Sequence, residues 1–583
     1  IADPGIAVQI IEGPADVIAP GSELVRPPNA PPQVLDRPND LGTERVVDAR
    51  SGRGIVVSAR DDDMRRGDQR QIVRYVSAAV FNGPQDRPAT AVRRDDARQR
   101  GHRDLERRHR TAWRARWARC GTSIGGEPDL DRGVRFATFQ LLAHGGSPST
   151  DGTDDRELAI GARGVTGRSY KGHVFWDTDV FVVPALSSIA PHAAGAALRY
   201  RWNRLGPAME AARAEGRWGA RFPWESAHSG IDVTPRWGTD LHGRSIPIHT
   251  GELEIHIVGD IAWALDNHRR WTGDDRFMHR YGRTMLVESA RYWASRIEVD
   301  DDGSAHIRDV IGPDEYHEHV DDNVFTNVVA GYNLRLAGRS TGVGEVDDAE
   351  RTSWFALADA LADGWDPVRG VHEQFTGFFE LDPVMVDTIG RPPLSADALL
   401  GRERIQQTQV VKQPDVLMAH HLMPGEMRAG TLHADLDTYL PRTAAGSSLA
   451  PAICASLLFE AGRADEAVEW FDLAARLDLD DLTGTTAGGL HLATIGGLWQ
   501  AVTIGVLGLR PAGTALRFEP HVPEQFGIVR HRFGFRGAIV TATVDGDDAT
   551  VEATRELDIS CGGESRSSSR HRMRRTGGAW THR

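Results

Sequence analysis

The stretch 257–268, IVGDIAWALDNH, shows the helical pattern from which the fold is predicted. Residues 257, 261, 264, 265 and 268, four apolar residues and the final histidine, follow an i, i+4, i+7, i+8, i+11 spacing, which lines them along one face of an α-helix. The same kind of spacing recurs in 286–297 and elsewhere between residues 135 and 510. Alternating strand and helix signals do not occur there, which disfavours a parallel α/β sheet. We therefore expect a mainly α protein, built as an α/α toroid or a helical bundle.

The segments on either side of the helical region differ from it in composition. Residues 1–93 are rich in Pro, Asp and Arg and contain short strand-like pieces, which predict a reduced N-terminal β domain. Residues 94–134 are dense in Arg and Asp and are predicted to form a helical linker. The large helical domain is placed at 135–510, and strand-type alternation predicts a small C-terminal β domain at 511–560. The tail 561–583 has no apolar period, so we expect it to be disordered.

Composition excludes some functions. The 583 residues include 40% hydrophobic and 26% charged residues, as in an ordinary soluble globular protein. A formal net charge of −14 argues against a non-specific nucleic-acid binder, which needs a basic face. No run of about 18 apolar residues occurs, so we expect no membrane helix, and residues 1–20 show no signal-peptide pattern. Three cysteines are too few to staple the chain, which favours a reducing cytoplasm.

Lysine is almost absent from the chain. Lys and Arg total 68, and Lys171 and Lys412 are the only lysines. A guanidinium does not replace a compact ammonium where space is tight, so the two lysines are candidates for sites that need a point-like cation; two surface positions would give the same count. Lys412 is followed by Gln413 and a proline, and two long donors on a proline-fixed backbone suit hydroxyl recognition. An ordinary helix entry with surface polar residues has the same pattern.

Residues 171–179, KGHVFWDTD, combine aromatic rings with acids. Trp176 lies beside Asp177, as a sugar site requires, because the ring stacks on the C–H face of a pyranose and the carboxylate accepts from its hydroxyls. A buried tryptophan with a capping aspartate is the alternative.

Residues 311–319, IGPDEYHEH, form a second acidic cluster. The Gly-Pro-Asp turn places Glu315 at a loop-to-helix junction. A carboxyl on a packed aromatic and histidine floor can act as an acid. A metal site that uses His317 and His319, or an ordinary acidic helix N-terminus, would also fit these residues.

Two later pieces favour an anion site. Gly446, Ser447 and Ser448 open an apolar helix, where backbone N–H groups and hydroxyls can hold an anion. His491 precedes a glycine pair that allows close helix packing, and it can complete such a site. A helix N-cap without a ligand and a core histidine are the alternatives.

Together and in this order, the five pieces resemble glycoside hydrolase family 65, which includes maltose, trehalose, kojibiose and nigerose phosphorylases. The similarity runs from about residue 165 to 545 and rests on G-H-x-F-W-D-T-[DE], G-P-D-E-Y-H, K-Q-x-D and G-S-S-L. Residues 202–203 and 222–226 also fit the substrate loops of that family. The resemblance implies an (α/α)6 barrel flanked by an N-terminal β-sandwich, here shortened, and a small C-terminal β domain.

The resemblance also implies roles for individual residues, with Glu315 as the general acid. The other matching positions are the sugar-binding Trp176, Asp177, Lys412 and Gln413 and the phosphate-binding Gly446, Ser447, Ser448 and His491. It implies no metal and no cofactor, only inorganic phosphate as co-substrate, and it implies a homodimer. Three departures stand out: Ala445 replaces the histidine that many family members have before Gly-Ser-Ser, the N-terminal domain is much shorter, and the tail after Ile559 leaves the family pattern.

The function expected from this pattern is inverting phosphorolysis of an α-linked glucose disaccharide to β-glucose 1-phosphate and glucose. Phosphate is already a nucleophile, so one catalytic carboxyl suffices, whereas an inverting hydrolase needs a second one about 6.5–9.5 Å away. The alternatives are an inverting α-glucosidase of trehalase or kojibiose hydrolase type and an inactive carbohydrate-binding relic. No partner among nucleic acids or membranes is expected.

Overall fold

The structure is a computed structural model that describes residues 6–14, 34–36, 43–47, 53–66, 69–82, 90–146, 156–165, 167–239, 243–340 and 346–583. The chain divides into two compact units, Ile1–Ala118 and Arg119–Arg583. The strands are β1 (Ile6–Pro14), β2 (Val34–Asp36), β3 (Thr43–Val47), β4 (Arg53–Arg66), β5 (Gln69–Asn82), β6 (Gly121–Ile124), β7 (Trp237–Thr239), β8 (Ser245–Pro247), β9 (Glu298–Val299), β10 (Ala305–His306), β11 (Trp365–Asp366), β12 (Val371–His372), β13 (Leu509–Ala512), β14 (Ala515–Phe518), β15 (Val529–Phe535), β16 (Ala538–Asp545), β17 (Asp548–Cys561), β18 (Glu564–Thr576) and β19 (Ala579–His582).

The helices outnumber the strands in the second unit. They are α1 (Thr90–Arg100), α2 (His102–Trp117), α3 (Pro128–His144), α4 (Val183–Ile189), α5 (Pro191–Trp202), α6 (Leu205–Ala214), α7 (Thr250–Leu253), α8 (Ile257–Thr272), α9 (Asp275–Phe277), α10 (Arg283–Arg296), α11 (Val324–Arg339), α12 (Asp348–Ala360), α13 (Ala396–Leu400), α14 (Arg402–Ile405), α15 (Asp415–Leu422), α16 (Leu432–Tyr439), α17 (Ala450–Glu460), α18 (Ala464–Arg476) and α19 (Leu492–Gln500), the first two of which lie in the first unit. Wider π-type turns lead into α4 (Asp177–Val182), lead into α10 (Met278–Gly282) and extend α19 (Ala501–Val506).

The first unit contains the predicted N-terminal strands. The five described strands form one antiparallel sheet in the order β1-β5-β4-β3-β2. Val73, Tyr75 and Ala97 form its described core, and the Arg98 guanidinium donates to the Asp62 carboxylate at 2.5 Å. The boundary predicted at residue 93 falls inside α1, because this helix already begins at Thr90.

Six buried helices form the centre of the second unit. Contacts run from α4 to α8, α11, α15, α17 and α19, and α19 returns to the π-type turn before α4, so the series closes into a ring. The helices α5, α10, α12, α16 and α18 pack on the outside of this series, and α3 packs on α19. The mainly helical character predicted from the periodicity is therefore confirmed.

The ring closes at a glycine. A Cβ on Gly496 would lie 2.3 Å from the carbonyl oxygen of Phe181, so α19 can approach the turn before α4 only with glycine there. Gln500 Nε2 then donates to the carbonyl oxygens of Val180 and Phe181 at 2.9 and 3.2 Å. The close helix approach predicted for this glycine pair is observed.

The predicted disorder of residues 561–583 is wrong. Strands β18 and β19 extend a sheet in which β13-β14-β17-β16-β15-β6 form the main path, with β18 on β17 and β19 on β18. Of β18, His571 and Met573 are buried and most other side chains are exposed, which explains the missing apolar period. The sheet therefore extends beyond the predicted 511–560 range at both ends, from Leu509 to His582.

The predicted linker 94–134 also needs correction. Its first part is helical in α1 and α2, but β6 is an edge strand of the C-terminal sheet and pairs with β15. The helix α3 begins at Pro128, before the predicted start of the helical domain. A strand of four residues gives little signal of its own in the sequence. Its partner gives none nearby, because β15 lies some 400 residues later in the chain. Across the described ranges, no helix combines the length and apolar character needed to cross a membrane.

The corrected tail leads to a stability prediction. Trp580 is 7% exposed, and its indole Nε1 donates to the carbonyl oxygen of Pro520 at 2.9 Å. Replacing Trp580 with Ala should cost about 3–5 kcal/mol, as for other buried tryptophans. Urea unfolding followed by circular dichroism measures the loss. Trp218→Ala, at a tryptophan that is 76% exposed, is the matched control and should change stability little; equal effects of the two variants would contradict the packed tail.

Candidate active site

A buried aspartate organises the loop that contains Glu315. Asp314 is 2% exposed and accepts hydrogen bonds from the backbone N–H of Lys412 at 2.7 Å, from His317 Nδ1 at 2.6 Å and from Gln374 Nε2 at 3.0 Å. Burial opposes a charge on His317, but the Asp314 carboxylate outweighs it and raises the pKa of this imidazole. The sequence predicted a turn here, and the structure shows that the turn residue ties three chain segments together.

A second buried carboxyl completes the support. The Asp314 backbone N–H donates to Asp415 Oδ1 at 2.8 Å, and Asn323 Nδ2 donates to Asp415 Oδ2 at 2.6 Å. Burial raises the pKa of Asp415 well above its ordinary value, and the nearby Asp314 charge adds to this effect. A Cβ on Gly312 would lie 2.3 Å from Asp415 Oδ2, so the close approach needs glycine.

Glu315 and Lys412 form an ion pair beside the buried hydrogen-bond network of Asp314 and Asp415. Lys412 Nζ donates to Glu315 Oε1 at 2.7 Å, and both side chains are partly accessible. Burial opposes the ammonium, but the charge of Glu315 outweighs this and raises the pKa of Lys412. Lys412 is therefore a permanent cation beside the carboxyl. The structure thus brings together two residues that the sequence separates by almost a hundred positions.

Asp177 lies close enough to Glu315 and Lys412 for their charges to affect its pKa. Burial raises the pKa of Asp177 to about 6, and the neighbouring Glu315 adds to the shift. Trp176 is 2% exposed and packs against His256 and Trp224, with ring centroids 5.0 and 6.4 Å away. The indole therefore forms the wall behind Asp177, and its faces are not the open stacking surface expected from the sequence.

Gln413 contacts the loop that contains Asp314 and Glu315, which we call the acid loop. Its Nε2 donates to the carbonyl oxygen of Pro313, and its Oε1 is buried without a hydrogen-bond partner in the described part of the chain. An unsatisfied buried acceptor is costly, and a hydroxyl group of a ligand would supply the missing donor.

The loop around Gly446, Ser447 and Ser448, which the sequence predicted as an anion site and which we call the serine loop, lies directly beside the acid loop. Ala444 N donates to the carbonyl oxygen of Val411 at 2.9 Å, which aligns the loop with the Lys412 segment. A Cβ on Gly446 would lie 2.9 Å from the Tyr316 hydroxyl oxygen, so the glycine allows the two loops to touch. Thr494 Oγ1, in the first turn of α19, donates to the carbonyl oxygen of Ser448. The loop therefore joins the acid on one side and α19 on the other, and Ser447 in it is buried.

His491 stands at the N-terminus of α19. Its Nδ1 lies 2.7 Å from Asp478 Oδ1, its backbone N–H donates to Asp478 Oδ2 at 2.8 Å, and its Nε2 lies 3.2 Å from Thr485 Oγ1. The histidine is thus an oriented group one turn before Thr494, whose hydroxyl contacts the Ser448 carbonyl oxygen. Asp478 had no signal in the sequence, because it lies in an acidic run after α18.

Other residues from the sequence motifs divide into two groups. Glu225 Oε1 lies 2.5 Å from His173 Nδ1, and the backbone of Ser226 pairs with Val174, so this loop borders the Trp176 segment. Trp202 packs edge-on against a tyrosine and Asn203 donates to Glu157, contacts outside the cluster around Glu315. Lys171 is exposed in a short turn.

One acid beside the site was missed. Glu254 has a fully buried carboxyl whose two oxygens have no hydrogen-bond partner within the described residues. Burial raises its pKa well above the ordinary value, and repulsion from Glu315 adds to this. The sequence GELEIH around it is typical of a helix entry, which gave no reason to single it out.

The histidines predicted as alternative metal ligands do not meet. His317 uses both ring nitrogens, on Asp314 and on the carbonyl oxygen of Thr408, and His319 pairs with Asp309. A separate buried cluster combines His372, His420 and Asp435. Its members already satisfy one another, because the two imidazoles lie 2.7 and 2.8 Å from Asp435 Oδ2, and hydrogen bonding accounts for the arrangement.

Comparison with known proteins matches two family models and several curated relatives to this chain. The family model of the glycosyl hydrolase family 65 central catalytic domain matches residues 135–500, and that of the family's C-terminal domain matches residues 509–566. The kojibiose phosphorylase of Halothermothrix orenii is 33% identical over 78% of this chain and 60% of its own length. The α,α-trehalose phosphorylase of Geobacillus stearothermophilus is 32% identical over 74% of this chain and 56% of its own length.

A solved structure shares the fold. The protein named "Putative kojibiose phosphorylase from human microbiome" superposes with a TM-score of 0.85 at 22% identity, over 98% of this chain and 82% of that one. The alignments with the two curated relatives above span no more than 60% of their length.

The environment of Asp177 leads to a pH-dependent prediction. Its pKa is about 6 in the native protein against an ordinary value of 3.8, so between these values the native state binds more protons than the unfolded chain and stability falls as pH rises. Asp177→Asn should therefore gain about 1–2 kcal/mol above about pH 7, partial exposure reducing the ~1.4 kcal/mol per pKa unit, and should gain nothing near pH 4. Urea unfolding at both pH values measures this difference. Asp547→Asn, at an exposed loop position, is the control; a pH-independent difference at Asp177 would contradict the prediction.

Proposed function

The chain belongs to glycosyl hydrolase family 65, and on this premise we propose that it is an enzyme that cleaves an α-linked glucose disaccharide with inorganic phosphate. The products are β-glucose 1-phosphate and glucose. The observation that carries the proposal is the contact between the acid loop and the serine loop. Glu315 pairs with Lys412, and the hydroxyl of the next residue, Tyr316, lies against Gly446.

Glu315 is the proposed general acid. The Lys412 ammonium holds its carboxyl before substrate binds. The family pattern assigns the same ammonium to the glucosyl unit, so substrate binding exchanges one partner of Lys412 for a sugar hydroxyl. The released carboxylate takes up a proton from solvent, and the resulting carboxylic acid protonates the glycosidic oxygen. Positive charge then develops at the anomeric carbon in an oxocarbenium-like transition state. Asp177 and the unsatisfied Oε1 of Gln413 are proposed to bind hydroxyls of that glucosyl unit.

The serine loop is the proposed phosphate site. Ser447 and Ser448 supply neutral donors next to the N-terminal ends of α17 and α19, where the helix dipoles favour an anion. Phosphate bound there attacks the anomeric carbon on the face opposite the leaving group, so the configuration inverts. Ala445 supplies no side-chain donor, which leaves His491 as the imidazole proposed to contact the anion.

Several wider features are proposed on the same basis. The closed series of six buried helices with outer helices around it supports an (α/α)6 barrel. The cytoplasmic location stays a prediction from the small number of cysteines. The homodimer and the absence of any cofactor besides phosphate stay predictions from the family resemblance. The names of the relatives include more than one disaccharide, so the proposal specifies an α-glucoside and leaves the linkage open.

Phosphate dependence tests the proposal directly. The purified chain is incubated with kojibiose, trehalose, maltose and nigerose, with and without inorganic phosphate, and glucose 1-phosphate and glucose are assayed. At least one disaccharide should be cleaved, with equal amounts of the two products and only when phosphate is present. Equal cleavage without phosphate would identify an inverting hydrolase instead. Binding without cleavage in both conditions would identify a carbohydrate-binding relic.

Substitution of the acid should separate binding from turnover. Glu315→Gln keeps the shape but removes the acidic proton, so kcat should fall by about 10²–10⁴-fold while disaccharide binding, measured by calorimetry, changes little. Glu318→Gln is the control, because this carboxylate pairs with Arg402 at 2.6 Å and should affect kcat weakly. Turnover close to that of the parent in Glu315→Gln would remove Glu315 from the acid role.

The two lysines allow a matched comparison. Lys412→Arg conserves the charge but introduces a larger, planar group in a site fitted to an ammonium, so kcat/KM should fall roughly tenfold or more. Lys171→Arg changes an exposed position and should leave kcat/KM within about twofold. Equal kinetics for the two variants would show that Lys412 acts only through its charge.

A further inference from the structure

Asp478 holds His491 by two contacts and also accepts a longer hydrogen bond from Thr486 Oγ1 at 3.3 Å. Its side chain is 5% exposed, and both carboxylate oxygens contact His491: Oδ1 lies 2.7 Å from the ring Nδ1 and Oδ2 accepts from the backbone N–H at 2.8 Å. The aspartate therefore fixes the position of the backbone and the rotation of the ring at the same time. A hydrogen bond of this kind orients a histidine and decides which ring nitrogen faces other partners.

The contact also determines the chemistry of the other nitrogen. A carboxylate acceptor keeps the proton on Nδ1, so Nε2 is the atom left for further contacts, and it lies 3.2 Å from Thr485 Oγ1. A neutral ring presents Nε2 as an acceptor, whereas a protonated ring presents an N–H donor. Only the donor form attracts an anion.

The surrounding charges make Asp478 the main counter-ion of the ring. Arg163 donates to Thr485 Oγ1 at 3.2 Å and to the carbonyl oxygen of Gly489 at 2.8 Å, so a further cation lies on the Nε2 side. Asp481 lies in the same turn, but its carboxylate accepts from the backbone of Thr486 at 2.9 Å. The negative charge in direct contact with the imidazole is that of Asp478.

We propose that Asp478 is a positioning residue for phosphate: it orients His491 through Nδ1 and balances an imidazolium whose Nε2–H donates to the bound anion. The inference rests on the proposed phosphorolysis. Asp478 itself does not touch the substrate. Its effect should therefore appear in the use of phosphate and not in the binding of the disaccharide.

The test compares Asp478→Asn with Asp478→Glu, His491→Asn and the double variant Asp478→Asn/His491→Asn. Loss of one charge-assisted hydrogen bond should raise the phosphate KM of Asp478→Asn about 10–100-fold, with the disaccharide KM within about twofold. Asp478→Glu should recover part of the loss. Because Asp478 acts through His491, the double variant should be no worse than His491→Asn alone. Asp481→Asn is the matched control and should keep the phosphate KM of the parent.

The outcomes separate this inference from the function on which it rests. Titration of the resting protein with inorganic phosphate in a calorimeter, together with the phosphate dependence of the parent, tests the site itself. If the parent needs phosphate but Asp478→Asn keeps its phosphate KM, or if the double variant shows additive losses, the role of Asp478 is wrong and the function stands. If the disaccharide KM rises as much as the phosphate KM, Asp478 supports the fold only. If the parent neither binds nor needs phosphate, both proposals fall together.

Discussion

The site depends on a buried carboxylate, Asp314, that accepts hydrogen bonds from three separate parts of the chain. Its hydrogen bond from the Lys412 backbone fixes the distance between the acid loop and the segment that contains Lys412. Its hydrogen bond from His317 stabilises the conformation of the acid loop itself. Buried carboxylates are costly unless they are fully hydrogen-bonded, so this network holds one arrangement and penalises others. Glu315 follows Asp314 directly in the chain, so the hydrogen bonds that hold Asp314 also position Glu315. The surface pair of Glu315 and Lys412 is therefore placed by a buried network and not by its own attraction.

The glycines of the site matter for the space that they leave. Gly312 lets two buried polar groups approach each other, Gly446 lets the serine loop touch Tyr316, and Gly496 lets α19 close the helical ring. At each position a Cβ would lie less than 3 Å from a neighbouring atom. Helices thus bring the loops together, and the glycines let those loops approach each other closely. A site in which acid and nucleophile face opposite sides of one anomeric carbon requires this kind of preorganisation.

Much of this could be predicted from the sequence, and the failures have physical causes. The helical periodicity predicted a mainly α chain, and the scarcity of lysine pointed to Lys412 before any contact was known. The polar strands β18 and β19 were missed because they bury few side chains, and β6 was missed because its partner is distant in sequence. Sequence also cannot tell that Trp176 is covered by other rings, or that Asp478 lies against His491. Such contacts depend on where loops meet in space, which local patterns do not record.

The central claim is that one acid, Glu315, and a phosphate held by the serine loop act on opposite faces of the anomeric carbon. Proton NMR of the reaction mixture, recorded as the first product forms from an α-linked glucose disaccharide and phosphate, tests this most directly. The predicted result is an anomeric signal of β-glucose 1-phosphate that appears before any mutarotation of the released glucose. Formation of α-glucose 1-phosphate, or of β-glucose without a phosphate ester, would contradict the claim.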